Sequence, residues 1–294
     1  MNRPLTFVLL AAFAAARPVV AERPPEIPFE LIQNQIVVSA RLNEKGPFLM
    51  TIDTGTDMST IDIGTALKIG LTVNPAGEEI EGGETEEGTV YDTRFSAVEL
   101  GVISARDVDA LAGGMVARLA KRIGRPIVGS LGHSFFAGRI AQFDYPRHVL
   151  RFLPDPPPDT PVSGRRAVLT FKDDESLLLD AVSIGGEKIR ACLDTGSSAA
   201  LAITAEAAHK LGLAPGSAPP APKSPGTKGP PPPREGVVHN LQVGTLGAES
   251  VDALFLPEAT HGKKAWDVGI GNAFLKDLVV TIDFPDTKIV LEKP

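Results

Sequence analysis

Two Asp-Thr-Gly triplets, Asp53-Thr54-Gly55 and Asp194-Thr195-Gly196, stand 141 residues apart in this chain. Each follows an apolar stretch, in FLMTIDTGTDMST at 48–60 and in IRACLDTGSSAAL at 189–201. A carboxylate is a general base when ionised and a hydrogen-bond donor when protonated. Two carboxylates about 3 Å apart cannot both ionise, so they share a proton and titrate as a pair. One member can then take a proton from water while the other polarises a carbonyl, which is the chemistry of amide hydrolysis. A tight turn, with Asp accepting backbone N–H bonds, accounts for either triplet alone. It gives no reason for a second at a matching place.

The neighbours suit the same task. Thr54 and Thr195 are placed to hydrogen-bond across an axis and lock the two loops. Gly55 and Gly196 let backbone N–H groups approach the carboxylates without a Cβ in the way. Thr56 and Ser197 are each expected to offer a hydroxyl to an outer carboxylate oxygen.

The elements around the triplets repeat as well. VGSLGHSFF at 128–136 is echoed by VGIGNAFL at 268–275, and QFDYPRHVLRF at 142–152 by TIDFPDTKIVLE at 281–292. From Gly132 to Gly271 and from Asp144 to Asp283 the offset is 139 in both cases, which indicates a duplicated unit. Ile36 to Leu42 alternates apolar and polar residues, turns at Lys45-Gly46 and returns through Phe48–Ile52 into the first triplet. Leu177–Ile184 turns at Gly185-Gly186 and returns through Ile189–Leu193 into the second. One short helical stretch follows each triplet, 65–69 closed by Gly70 and 204–211 closed by Gly212; the rest reads as strand and turn. The proline-rich segment 154–164 is a stiff spacer, separating a first lobe at 22–153 from a second at 165–294. A further tract, Ala214–Pro233, holds nine prolines and must loop out of the second lobe.

At these residues the chain resembles the aspartic peptidases, specifically the retropepsin-like group whose duplicated, secreted members are related to pepsin. The two triplets match the catalytic motif. Val128, Gly129 and Gly132, with Val268, Gly269 and Gly271, match the apolar-apolar-glycine segment that passes behind it. The resemblance implies an all-β fold of two pseudo-symmetric barrel-like lobes, one short helix each, with a cleft between them. It also implies a metal-free, cofactor-free endopeptidase in which Asp53 and Asp194 activate water against an extended peptide or protein substrate, one chain making one site. Ser130 and Gly269 make the two glycine-centred segments less apolar than usual for the group. A peptide-binding protein of the same fold without turnover, or a dimer with two sites, is the alternative.

The remaining features narrow the class. Residues 1–21 read as a secretory signal: Arg3, then an apolar run from Leu5 to Ala16 broken only by Thr6, then Val19-Val20-Ala21 for cleavage. That run is 12 residues, short of the roughly 20 that cross a bilayer, so a periplasmic or secreted protein without a membrane anchor is expected. Only about a dozen residues separate Ala21 from the first strand, so no long inhibitory prosegment is expected. With 36 acidic against 29 basic residues and no basic tract, nucleic-acid binding is disfavoured. The single cysteine, Cys192, excludes an internal disulfide and reads as core, while the five histidines lack metal-ligand spacing. Ser130 lies in GSLG rather than in a nucleophile elbow, and Gly269-Ile270-Gly271 opens no phosphate loop. Six glutamates between Glu78 and Gly88 suggest a preference for basic peptides.

Overall fold

The computed structural model describes residues 24–75, 89–173, 177–216, 231–258 and 266–294. The signal segment, Glu78–Gly88 and most of the second proline tract lie outside the described residues.

The first lobe is a closed barrel. Strand Gln35–Leu42 pairs with Lys45–Ile52, which runs parallel to Ile127–Leu131; that strand pairs with Ser59–Asp62, then Ile103–Gly113, then Tyr91–Leu100. The ring closes where Ala40 and Leu42 meet Leu100 and Val98. Ile36, Ile52, Ile61, Phe95, Val98 and Leu131 are fully buried inside it, so the apolar alternation read from sequence is the barrel lining. The hairpin turn falls at Asn43-Glu44, not at Lys45-Gly46 as the sequence suggests. Both turn residues have positive φ (48° and 64°), the conformation that a two-residue turn needs to follow strand twist. Asn43 tolerates it, and its side chain accepts a bond from Ala97 N.

The second lobe repeats the plan with one strand broken. Leu177–Leu179 pairs with Ala191–Leu193, and Val182–Ile184 pairs with Arg234–Val243. Together they do the work of the unbroken strand Gln35–Leu42. At the break, the Asp180 carboxylate accepts bonds from Thr170 N and Oγ1 at 3.2 and 2.8 Å. Here the turn is at Gly185-Gly186, with φ of 59° and 89°.

Helices Ile63–Lys68 and Ala205–Lys210 follow the two triplets, capped by Asp62 and Thr204 and closed by left-handed Gly70 and Gly212. Among the described residues three more lie outside those two stretches: Met115–Ile123, His133–Phe136 and Asn272–Leu275. The longest lays Val116 and Ile123 against Val37 and Ile127 on the outside of the first barrel.

A six-stranded antiparallel sheet joins the lobes, in the order Ile27–Pro28, Val149–Leu153, Ile140–Asp144, Val279–Asp283, Lys288–Glu292, Arg166–Asp173. At its centre Ile140 faces Asp283, Gln142 faces Thr281 and Asp144 faces Val279. The central pair is also related by the 139-residue offset, so the pseudo-two-fold axis of the duplication passes between Gln142 and Thr281, where Gln142 Nε2 donates to Thr281 Oγ1 at 3.2 Å.

The structure corrects one alignment. Ile52 lies beside Leu131 and Leu193 beside Ile270, which makes Ser130 the counterpart of Gly269 and Gly129 the counterpart of Val268. The matching VG pairs at 128–129 and 268–269 are therefore one residue out of register. In the first lobe Ser130 Oγ and Thr60 Oγ1 hydrogen-bond at 2.7 Å. In the second the same two places hold Gly269 and Ala202, with Cys192 and Trp266 beside them.

The two glycines consequently carry different burdens. A Cβ on Gly129 would overlap the Thr60 carbonyl, whereas one on Gly269 would meet its nearest neighbours at an ordinary 3.7 Å. Gly129→Ala is expected to destabilise the fold by about 1–3 kcal/mol and Gly269→Ala by under about 0.5 kcal/mol. Denaturant midpoints of the two variants check this, and equal losses would contradict the assigned register.

Candidate active site

Each aspartate sits where a barrel strand gives out. Asp53 N donates to Leu131 O at 3.0 Å and Asp194 N to Ile270 O at 2.9 Å, so the glycine-centred strands hold both loops from behind as the sequence suggested. Within that support Val268 is fully buried, while Val128 is half-buried at the edge of the core. Gly132 and Gly271 are required by packing. A Cβ there would come within 2.5 Å of Met58 O and of Ala199 O respectively.

The loops meet across the lobe boundary. Thr54 N donates to Thr195 Oγ1 at 2.9 Å, and Thr195 N donates to Thr54 Oγ1 at 3.3 Å, with both threonines buried. This reciprocal pair is the lock expected from the sequence. Gly55 N donates to Asp53 Oδ1 at 3.1 Å and Gly196 N to Asp194 Oδ1 at 2.8 Å.

The glycines do more than supply N–H groups. A Cβ on Gly196 would overlap the Asp53 carboxyl, and one on Gly55 would lie 2.7 Å from Asp194 Oδ1. Each carboxyl thus lies against the glycine of the other lobe, which brings the two aspartates close enough to interact. Desolvation first, and the charge of Asp194 second, push the Asp53 carboxyl up to about 8, against a partial pull downward from Gly55 N–H. Asp53 is nevertheless only half-buried, so the residue keeps access to solvent.

Two expectations change. The Thr56 hydroxyl donates to the main-chain carbonyl of Asp53 at 3.2 Å, so its proton is not offered to the carboxylate. Ser197 enters the site through its backbone: its N–H donates to Asp194 O at 3.2 Å and its carbonyl accepts from Asn272 N at 2.9 Å.

A model of the aspartyl protease family matches residues 38–135 and 181–274, one match in each lobe and together well over half of the chain. The chain belongs to the aspartyl protease family. A solved retropepsin-like aspartic protease from Rickettsia conorii is similar at 16% identity, over 44% of this chain and 90% of its own, with a TM-score of 0.34. No curated protein matches.

Sequence reasoning missed four residues of this aspartyl protease's site. Gln35 Nε2 donates to Gly196 O at 2.8 Å and Asn34 Nδ2 to Ser198 O at 3.1 Å, both reaching from the first lobe to the second catalytic-motif loop. Gln35 is buried at the start of its strand, on the same face as Val37 and opposite the barrel lining. A polar residue on that outward face fits the strand alternation, so the sequence carried no signal for it. The other two, Asn272 and Tyr145, are buried beneath the same loop. Tyr145 was visible as the difference between the FDYP echo at 143–146 and the IDFP echo at 282–285.

A cavity of about 710 Å³ opens on the first lobe around Leu71, Thr93, Asp107 and Ala110. It contains neither aspartate of the dyad. The carboxyl contacts, not cavity size, mark the site of this aspartyl protease.

The raised Asp53 carboxyl has a consequence for stability. The folded chain holds that proton more tightly than the unfolded chain, so the contribution is fully present below pH ~4 and is lost as pH rises through about 8. Asp53→Asn, which cannot ionise, is expected to flatten this decline and raise the melting temperature at pH 8 by more than about 2 °C. Melting curves of both proteins from pH 4 to pH 9 check it.

Proposed function

We propose that this aspartyl protease is a two-lobed endopeptidase in which Asp53 and Asp194 activate water to hydrolyse an extended peptide. The observation that carries the reading is the seating of each carboxyl against the opposing lobe's glycine, which brings two acidic groups together in partly desolvated surroundings. The ionised member takes a proton from a water held between the pair, and the protonated member hydrogen-bonds the peptide carbonyl. Attack, with transfer of that second carboxyl's proton to the carbonyl oxygen, gives a tetrahedral diol, and the diol returns it on collapse. That collapse, with protonation of the departing nitrogen, returns both carboxyls to their starting state.

The site draws on both lobes of a single chain, which supports action as a monomer with one site. The signal-like leader supports a periplasmic or secreted location for this reading. No helix among the described residues is long and apolar enough to cross a membrane.

Asp53→Asn and Asp194→Asn are each expected to lower kcat/KM on a peptide library by at least about 10³-fold. Gly196→Ala, with both aspartates intact, is expected to be similarly inactive because its Cβ takes the space of the Asp53 carboxyl. Library cleavage followed by mass spectrometry checks all three. A variant that keeps most of the activity would overturn the two-aspartate mechanism, and a wild-type protein that binds a statine-type peptide without cleaving any member would favour a binding role.

A further inference from the structure

The two halves of the site are not equivalent beneath the carboxyls. The Tyr145 hydroxyl donates to Asn272 Oδ1 at 2.6 Å, and Asn272 Nδ2 donates to Thr195 O at 2.6 Å. Thr195 C=O and Gly196 N–H belong to one peptide group, and that N–H donates to Asp194 Oδ1 at 2.8 Å. A hydrogen bond accepted by an amide carbonyl makes the N–H of the same amide a better donor. Tyr145, Asn272 and the 195–196 peptide therefore form a chain of donors, each polarising the next, that ends on the Asp194 carboxylate. Tyr145 is 1% exposed and Asn272 is fully buried, so water does not compete for these bonds.

The mirror-image places are occupied differently. An offset of 139 carries Tyr145 to Phe284 and His133 to Asn272. Phe284 has no hydroxyl, and its ring stacks on His133 with centroids 5.2 Å apart. A phenol-to-amide relay cannot be built toward Asp53, whose bond from Gly55 N is longer, at 3.1 Å.

On the reading that the dyad is catalytic, we propose that Tyr145 and Asn272 are positioning residues that make Asp194 the ionised, water-activating member of the pair and leave the shared proton on Asp53. Donation to a carboxylate favours its charged form, so the bias runs toward a charged Asp194. Among the described residues, the Asp53 carboxyl and the Tyr145 hydroxyl both interact electrostatically with Asp194. Burial, and then the charge of Asp194, push Tyr145 up, so its phenol stays a donor throughout the working range. On its other sides Tyr145 meets the rings of Phe29 and Phe143; His148 stacks on Phe29, and its backbone N–H donates to the Tyr145 carbonyl at 3.1 Å.

Tyr145→Phe tests the relay with the ring retained, and Phe284 at the mate position shows that the fold accepts phenylalanine in such a turn. The carboxyl carbons of aspartate, labelled with ¹³C, are followed by NMR from pH 2 to pH 9 in parallel with the pH profile of kcat/KM. Y145F is expected to move the Asp194 titration and the acid limb of the profile upward by about 0.3–1 pH unit, with KM changed by less than about twofold. Asn272→Ser, which removes the donor to Thr195 O, is expected to shift both in the same direction. Should the wild-type protein cleave no peptide while the Asp194 resonance still moves in Y145F, the relay stands and the peptidase reading falls. An unmoved Asp194 titration in a folded Y145F, with only a lower melting temperature, overturns the relay and reduces both residues to packing.

Discussion

The structure turns on one unfavourable contact made unavoidable: two carboxyl groups pressed together at the meeting of two barrels. In water they would separate. They stay because each lies against a glycine of the opposite lobe and because neither can retreat without breaking the reciprocal Thr54–Thr195 bonds. The cost is met partly by retaining a proton, which is why burial and the neighbouring charge raise the affinity of Asp53 for it. The strain is held by elements several layers deep: the glycine-centred strands behind the loops, the barrels that carry those strands, and the joining sheet that fixes one barrel against the other.

Duplication explains how such a site is assembled, and on the proposed reading departures from symmetry give it direction. The axis through Gln142 and Thr281 brings equivalent loops face to face. Equivalent aspartates would have no reason to take different parts in a reaction that needs one acid and one base. In this chain the second loop is gripped by three side-chain amides, Gln35, Asn34 and Asn272, on the carbonyls of Gly196, Ser198 and Thr195. Two of the three come from the other lobe, so contacts that help join the lobes also hold the loop of the second aspartate.

Much of this was legible from the chain because it rests on periodicity and repetition. The alternation in Ile36–Leu42 is the barrel lining, and the common offset of 139 is the symmetry of the central sheet. Helix Met115–Ile123 carried its own signal in Val116, Leu119, Ala120 and Ile123 before Gly124, a helical spacing that strand-dominated surroundings obscured. The first hairpin turn was misplaced because Gly46 is the commoner turn residue, although Asn43 at positive φ makes the turn. The VG echo misled for a different reason: side-chain identity repeated while backbone register had slipped by one residue. Long-range polar contacts such as Gln35 to Gly196 leave no periodic trace at all.

The most direct test of the account is where hydrogen lies in the dyad. Neutron diffraction from deuterium-exchanged crystals grown near neutral pH reads that position without reference to turnover. One deuterium held between the Asp53 and Asp194 carboxyls is the predicted result. Two bare carboxylates turned apart, each with its own solvent, would contradict it.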